Sequence, residues 1–525
     1  MRIAMRKRLV LDATLKKDQI RAPLSRDDGA DASTAIDTDT TIASTPGFPR
    51  RFLLNQSGRQ RYADGGVWAS IERRQTVPYA AGTSSATVLS PSSEYPQPLS
   101  NPTASADLKL LHPPTERIFP LWQVYLENVD PIIKILHVPT TQKQLLQASQ
   151  SLNGLPPSFE ALMFAIYYAA VSSMQDTVHE PAERSELLDK HGSGVEQALA
   201  KASFMTEPDL FALQALTIYL HCARATGHRP PAQVWALTGL LLRLARKLGL
   251  HQNPSTLGFS PFESQIRSRL WWFIFVLETM SAEDNDMAIS INNYQHRVDR
   301  PKCVNDTSLE VSMSAVVEGS SRRSEMVFTE RLLDISQTTS RQLFATELGM
   351  TDQSPQDVDD DIRSMSSLWE LLDQSLDWKT AIGRFVQQYT NVEERRMRII
   401  NRLANGDVHY PSSLDFDKEP DVAAVDILND IDDAGFPERA KKFAWFLRNP
   451  AEMVAVAALL DSILTKRDEY SRKFAQDSQH LIDQCFARAN RDGRLRSGDP
   501  RWRLLEHQYV SMQRFLAEAD DIAQI

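Results

Sequence analysis

The sequence contains three cysteines, the side chains from which a structural zinc site or a redox centre would be built. Cys222, Cys303 and Cys485 lie far apart, and no two of them have the Cys-x-x-Cys spacing of such sites. His221 adjoins Cys222, but neighbouring helical residues point in different directions and cannot share one ion from that helix alone. We therefore expect three reduced thiols that pack in the protein interior.

Two acidic segments partly match known metal-binding patterns, one for calcium and one for magnesium, and both patterns are incomplete. Asp430 opens a segment that resembles a calcium loop, but Ala434 and Lys441 occupy positions that require oxygen ligands. The acidic run 357–361 lacks the paired helical spacing of magnesium-dependent prenyl diphosphate enzymes, so we interpret it as solvated charge. The sequence also lacks a Gly-rich phosphate loop, a Gly-x-Ser-x-Gly turn and a His-Glu-x-x-His pair. We predict no catalytic, cofactor-binding or metal-ligating residues and expect that the protein is not an enzyme.

The net charge of the chain is −10, which argues against a surface that binds nucleic acid through positive charge alone. The N-terminus is a local exception, with a basic tail that includes Arg6, Lys7, Arg8, Lys16 and Lys17. We favour a short solvated end, and nuclear import or DNA contact is the alternative.

The composition is ordinary for a water-soluble protein, with 42% hydrophobic and 24% charged residues. The longest apolar runs, 162–171 and 270–277, are shorter than the roughly 20 residues that span a bilayer. The basic tail is followed by too few apolar residues for a secretory signal. We expect no membrane association and a protein that stays inside the cell.

The elements that must position any site are predicted to be helices. Residues 22–105 are rich in Ser, Thr, Pro, Ala and Asp, and a segment of this composition buries too little apolar surface to become ordered. From residue 107 onward apolar residues recur at helical spacing, as in the stripe Val234, Leu237, Leu241, Leu244 and Leu248. Strand patterns are scarce. The sequence predicts an all-α fold of packed helix pairs with a disordered N-terminal segment.

The segment 260–310 carries the most distinctive pattern. Ser260-Pro261-Phe262-Glu263 has the signature of a capped helix start, and an apolar run follows it. We predict that this helix lies at the centre of the protein, with Trp271 and Trp272 in the core rather than in a ligand site. The residues that make the pattern distinctive are Arg269, Leu270, Trp271, Trp272, Glu283, Asn305 and Asp306.

These motifs, in this order and spacing, resemble the regulatory domain of fungal binuclear zinc-cluster transcription factors. The resemblance covers roughly Leu108 to Leu343 and includes Asn128-Val129-Asp130-Pro131, Ala245 to His251 and Glu325 to Phe328. The segment 57–70 looks like the linker before that domain, and we expect its aromatic residues to dock on the helical body. Glu278, Met280 and Asp286 depart from the family pattern, which has Asp, Arg and Gly there.

Composition, helical periodicity and the resemblance together predict four parts of the chain. These are a mostly disordered segment at 1–106 with the basic start and the linker motif, the regulatory domain at 107–345, an acidic loop at 346–363, and a C-terminal helical region at 364–525 packed on the regulatory domain.

The six cysteines with which such factors hold zinc and bind DNA are absent from this sequence. Either the gene model lacks an upstream exon, in which case zinc is a cofactor of the whole protein, or the regulatory domain works without its own DNA-binding module. The resemblance implies a nuclear transcriptional regulator, with specialised (secondary) metabolism as the candidate target. DNA, bound directly or through a partner factor, a homo- or heterodimer and transcriptional coregulators are its implied partners. The alternatives are a non-DNA-binding scaffold or heterodimer partner of zinc-cluster factors, and a helical enzyme derived from the fold.

Overall fold

The computed structural model describes most of the chain from residue 108 onward and short pieces before it. The described residues are 52–56, 59–63, 68, 71, 108–174, 181–291, 297–316, 324–347, 355–373, 377, 379–405, 420–432, 435–467, 469–492, 494–496 and 499–523. The predicted basic tail, Arg6, Lys7, Arg8, Lys16 and Lys17, lies outside the described residues, as does most of the segment predicted to be disordered.

The prediction of an all-α fold is confirmed for the body of the protein. Its α-helices are α1 (Leu108–Leu111), α2 (Thr115–Val124), α3 (Val138–Gln150), α4 (Pro157–Ser173), α5 (Pro181–Lys201), α6 (Leu210–Thr226), α7 (Pro231–Lys247), α8 (Pro261–Asp284), α9 (Val327–Glu347), α10 (Pro355–Asp373), α11 (Ala381–Asn405), α12 (Pro420–Ile431), α13 (Ala444–Lys466), α14 (Glu469–Arg491) and α15 (Pro500–Ala523). A π-helical turn, Tyr125–Val129, continues α2.

Within the segment before the body, the structure describes a hairpin and two isolated residues. Strands β1 (Phe52–Gln56) and β2 (Arg59–Ala63) are antiparallel, with Phe52 opposite Ala63. Trp68 and Ile71 are buried among the residues of the helical body. This burial confirms, for Trp68, the predicted docking of a linker aromatic.

The centre of the body is built from helices that are apolar on nearly every face. Helix α4 packs against α5 and α6, α8 packs against α7 and α9, and α13 packs against α6 and α15. The prediction that α8 is central is confirmed, because Trp271 is 0% and Trp272 is 2% exposed. One connected apolar cluster runs from the linker through α4, α6 and α8 to α15.

Helix α10 corrects the prediction of an acidic loop at 346–363. Residues 355–363 are helical, whereas 348–354 lie outside the described residues. Val358, Ile362, Met365 and Trp369 recur at spacings of three and four, and the last three of them are buried. The acidic residues at the start of the helix also interact favourably with its N-terminal dipole. The sequence prediction relied on the Asp-rich composition of the segment and therefore did not recognise this apolar stripe.

The C-terminal helices contact the earlier ones directly. The indole N–H of Trp445 in α13 donates to the carbonyl of Asn128, 3.3 Å away. Residues 107–345 and 364–525 therefore share an interface inside one apolar core.

No single helix in the described part of the chain is long and apolar enough to cross a membrane. One pair of helical segments, Glu438–Arg448 and Pro450–Lys466, is bent at its junction and is together long and apolar enough for a span. Buried core helices of other proteins share this length and composition.

Candidate functional site

The centre of the candidate site is the carboxylate of Asp306, which is 3% exposed. Its Oδ1 lies 2.6 Å from Nη1 of Arg269 in α8. Its Oδ2 lies 3.0 Å from Nζ of Lys134 and accepts a 2.9 Å hydrogen bond from the backbone N–H of Val138, at the start of α3. One carboxylate thus joins three segments that are distant in sequence, and we call this arrangement the Asp306 hub.

Neighbouring groups fix the backbone around this carboxylate. The Asn305 side-chain oxygen accepts from the N–H of Glu325 at 2.9 Å, and Glu325 Oε2 accepts from the N–H of Asp306 at 3.2 Å. The Asp306 carbonyl accepts from Nε2 of His137 at 3.0 Å. Lys134 Nζ is also 2.5 Å from Asp130 and 3.1 Å from Glu325. The motif residues Asn305 and Asp306 therefore form a reciprocal clamp with Glu325.

Local sequence signals place the two cations of the hub. The predicted capping box is present at the start of α8, where Ser260 Oγ accepts from the N–H of Glu263 and Glu263 accepts from the N–H of Ser260. This fixes where α8 begins and directs Arg269 inward, with 0% exposure. The π-helical turn before Asp130 sets the position of that carboxylate and of Lys134, four residues later.

The charges of the hub stabilise one another. Burial alone would raise the pKa of Asp306, but Arg269 and Lys134 outweigh it and hold that pKa below its usual value. For Asp130 burial prevails over the attraction of Lys134 and raises the pKa to about 6. The pKa of Lys134 is raised despite its burial, because three carboxylates face it. The hub is therefore a compensated ion network that suits structural stabilisation.

Glu283, the remaining charged motif residue, lies in a second network at the other end of α8. Its Oε2 is 2.9 Å from Nη1 of Arg396 in α11, and Arg396 also binds Glu393 at 2.8 Å. The next residue, Asp284, is 2.7 Å from Nε of Arg224 and 2.8 Å from Nη1 of Arg501 in α15. The end of α8 is thereby connected to the C-terminal helices.

Asp286, which replaces the glycine of the family pattern, has a backbone conformation that favours glycine. Asp286 has a φ of 54°, in the left-handed region that favours glycine and that Asp tolerates. Its Oδ1 accepts a 3.2 Å hydrogen bond from the backbone N–H of Trp68. At Glu278 the longer carboxylate accepts from the N–H of Ser290 at 2.7 Å. Two of the three departures from the family pattern, Glu278 and Asp286, therefore make contacts of their own.

The apolar motif residues lie in the core. Leu270 and Trp271 are 0% exposed, and the Trp272 indole N–H donates to the carbonyl of Asp299 at 3.0 Å. Burial and a single indole acceptor are typical of structural tryptophans.

A zinc centre does not fit the residues that the structure describes. Cys222, Cys303 and Cys485 are each buried, and they lie in α6, in the connection between α8 and α9, and in α14 respectively. Burial raises the pKa of the Cys222 and Cys485 thiols, so they are protonated and unsuited to bind a metal ion. In the described part of the chain, no three His, Cys, Asp or Glu side chains form a group that could hold an ion.

The structure groups some of the predicted residues and separates others. Arg269, Asn305 and Asp306 meet in the hub, whereas Glu283 lies at the far end of α8. Sequence reasoning missed Lys134, Arg396 and Arg501. The spacing of Lys134 four residues after Asp130 was a usable signal, but no local pattern pointed to Arg396 or Arg501.

Comparison with known proteins gives consistent matches. The family model described as the fungal specific transcription factor domain matches residues 122–391, about half of the chain. The pyriculol/pyriculariol biosynthesis cluster transcription factor 1 of Pyricularia oryzae is 32% identical over 289 residues, which cover 53% of this chain and 38% of that protein.

Two further relatives match a similar part of the chain. The aurofusarin cluster transcription factor aurR2 of Gibberella zeae is 33% identical over 43% of this chain and 34% of its own length. The C6 finger domain transcription factor adaR of Aspergillus niger is 34% identical over 41% and 28%. The matched region spans about a third of the length of these relatives.

Proposed function

Because the chain belongs to the family defined by the fungal specific transcription factor domain, we propose that it is a transcriptional regulator of a specialised metabolic pathway. The observation that carries this proposal is the match over residues 122–391 together with relatives named as regulators of biosynthesis clusters. A nuclear location and the lack of an enzymatic activity are parts of the same proposal.

The geometry indicates that the buried ion pairs hold the helices of the body in fixed relative positions. The Asp306 hub ties α3 and α8 together, and the Glu283 and Asp284 pairs tie α8 to α11 and α15. These ion pairs are buried and compensated, so they fix relative positions rather than bind a substrate. A regulator of this kind acts by presenting partner surfaces from a rigid body.

Two routes to DNA remain open within this proposal. In one, a zinc cluster formed by residues outside this sequence contacts the DNA; the relative adaR is named as a C6 finger domain transcription factor. In the other, the chain acts through a partner factor as a scaffold or heterodimer subunit. The three cysteines of the sequence are all buried in the helical body, so the zinc cluster of the first route would have to be formed by other residues.

The decisive experiment removes the gene from its native host and compares all transcripts with those of a strain complemented by a tagged copy. We expect the transcripts of one biosynthetic gene cluster to change together, and the tagged protein to occupy their promoters. Unchanged transcripts under conditions in which the protein is present would refute the proposal.

DNA binding by the purified chain tests both routes, and copurification separates them. Purified by itself, the chain should bind duplex DNA weakly and without sequence preference, with an affinity that falls steeply as salt rises. Sequence-specific nanomolar binding by this exact chain would contradict both routes. Copurification of a zinc-cluster factor with the tagged chain would favour the partner route.

A further inference from the structure

Among the described residues before the helical body, Trp68 and Ile71 are packed against it. Trp68 is 5% and Ile71 is 0% exposed. The backbone N–H of Trp68 donates to Asp286 Oδ1 at 3.2 Å, and the guanidinium carbon of Arg501 lies 5.5 Å from the centre of the Trp68 ring. This combination holds the tryptophan through its backbone, its ring face and its apolar surface.

Arg501 makes this attachment dependent on α15. Its Nη1 is 2.8 Å from Asp284 and its Nη2 is 2.9 Å from Asp499, so the guanidinium is held by two carboxylates while it lies near the indole ring. Asp284 is shared with Arg224 of α6, whose Nε is 2.7 Å away. Asp284, the last residue of α8, and Asp286 just after it thus contact Arg224 of α6, Arg501 of α15 and Trp68.

We propose that Asp284, Asp286 and Arg501 form a latch that couples the docking of Trp68 and Ile71 to the docking of α15. The same guanidinium serves both contacts, so moving α15 away from Asp284 removes the cation from the indole. Conversely, removing the indole exposes the ion pair of Arg501 with Asp284 to water and weakens it.

Thermodynamic reciprocity then requires each docking event to favour the other. This inference goes beyond the proposed function, because it concerns how the chain transmits a change between two of its parts, whatever it regulates. A partner that binds α15 would thereby alter the docking of Trp68 and Ile71.

Hydrogen exchange on the full chain, followed by mass spectrometry, tests the latch. Arg501→Gln should increase exchange about fivefold or more in the peptide that contains Trp68 and Ile71, and Trp68→Ala should do the same in residues 500–509 of α15. Arg363→Gln is the matched control, because Arg363 pairs with Asp360 on the surface and is 44% exposed. This variant should leave hydrogen exchange unchanged in both the Trp68 peptide and residues 500–509.

A third variant guards against general unfolding. Asp286→Gly keeps the left-handed backbone, removes the acceptor of the Trp68 N–H and leaves Arg501 and Asp284 intact. It should increase hydrogen exchange both in the peptide that contains Trp68 and in residues 500–509, while α4 exchanges as in the wild type. If each variant loosened only its own segment, the latch would be refuted. If Arg501→Gln also increased exchange in α4, that variant would have lost stability as a whole, and Asp286→Gly alone would decide whether the two docking events are coupled.

Discussion

Asp306 is the residue on which most buried polar contacts of the candidate site converge. Its carboxylate faces Arg269 and Lys134, which are both almost completely buried. Removing one partner of such a network leaves the other charges without compensation, which typically costs more than the intact network contributes. We predict that Asp306→Asn lowers the free energy of unfolding by about 3–5 kcal/mol, measured by urea denaturation.

Asp360→Asn is the matched control for this substitution. Asp360 pairs with Arg363 on the surface, where an ion pair contributes about 0–1 kcal/mol. Equal losses in the two variants would show that the Asp306 hub does not stabilise the fold. Sequence reasoning selected Arg269, Asn305 and Asp306 through the resemblance, but it could not pair them, because long-range contacts leave no local periodicity.

His221 makes a distinct prediction about pH. Its Nε2 donates to the carbonyl of Phe273 at 2.9 Å, and its Nδ1 is buried without a hydrogen-bond partner in the described part of the chain. Burial lowers the pKa of His221 from 6.5 to about 4. Since the folded state disfavours the proton, this contribution to stability is present above pH 6.5 and is lost as the pH falls towards 4.

His221→Gln keeps a donor for the carbonyl and removes the titration. Between pH 7 and pH 5 the wild type should lose on the order of 1–2 kcal/mol more unfolding free energy than the variant. Urea denaturation at the two pH values measures this difference. Identical losses in the two proteins would mean that His221 does not carry this pH dependence.

At the scale of elements, α4 and α5 show how close packing depends on single positions. A Cβ atom at Gly194 in α5 would lie 2.4 Å from Cδ1 of Phe164, whose side chain is fully buried and cannot move aside easily. We predict that Gly194→Ala destabilises the protein by about 1–3 kcal/mol, although alanine is the better helix former.

Gly239 in α7 is the matched control. The nearest side-chain atom to a Cβ there is Nη1 of Arg243, 3.8 Å away, so the methyl group fits. Gly239→Ala should raise the melting temperature, in keeping with about 0.5–1 kcal/mol of helix propensity. Opposite shifts for the same chemical change are the expected outcome, and a stabilising Gly194→Ala would contradict the packing argument.

The elements were predictable where local chemistry decides them. The capping box at Ser260 set the start of α8, and Gly249, with a φ of 71°, lies just after the end of α7, where glycine is the usual residue. Helix α10 was missed because composition was weighed above period, although a stripe of apolar residues runs through its acidic sequence. The hairpin of β1 and β2 was also missed, since only five residue pairs define it.

At the scale of the whole molecule, the two helical regions share one apolar core rather than two. Residues 451–460 of α13 are all buried, and α13 packs on α6. Arg396 and Arg501 add buried ion pairs from α11 and α15 to the end of α8. The sequence predicted helices in both regions and the packing of the second region on the first. It did not identify the residues that make the contacts, because those residues lie more than a hundred positions apart.

Two buried thiols test this shared core directly, since Cys222 lies in α6 and Cys485 in α14. Opening either region alone would expose the apolar faces of α6 and α13 to water, and this cost favours joint unfolding. We predict that both thiols become reactive at the same urea concentration when pulse alkylation is read by peptide mass spectrometry. Labelling of fully unfolded protein corrects for the intrinsic reactivity of each thiol. If Cys485 reacted at a clearly lower urea concentration than Cys222, the C-terminal helices would form a separate cooperative unit, and the ion pairs at the end of α8 would join two domains rather than stabilise one.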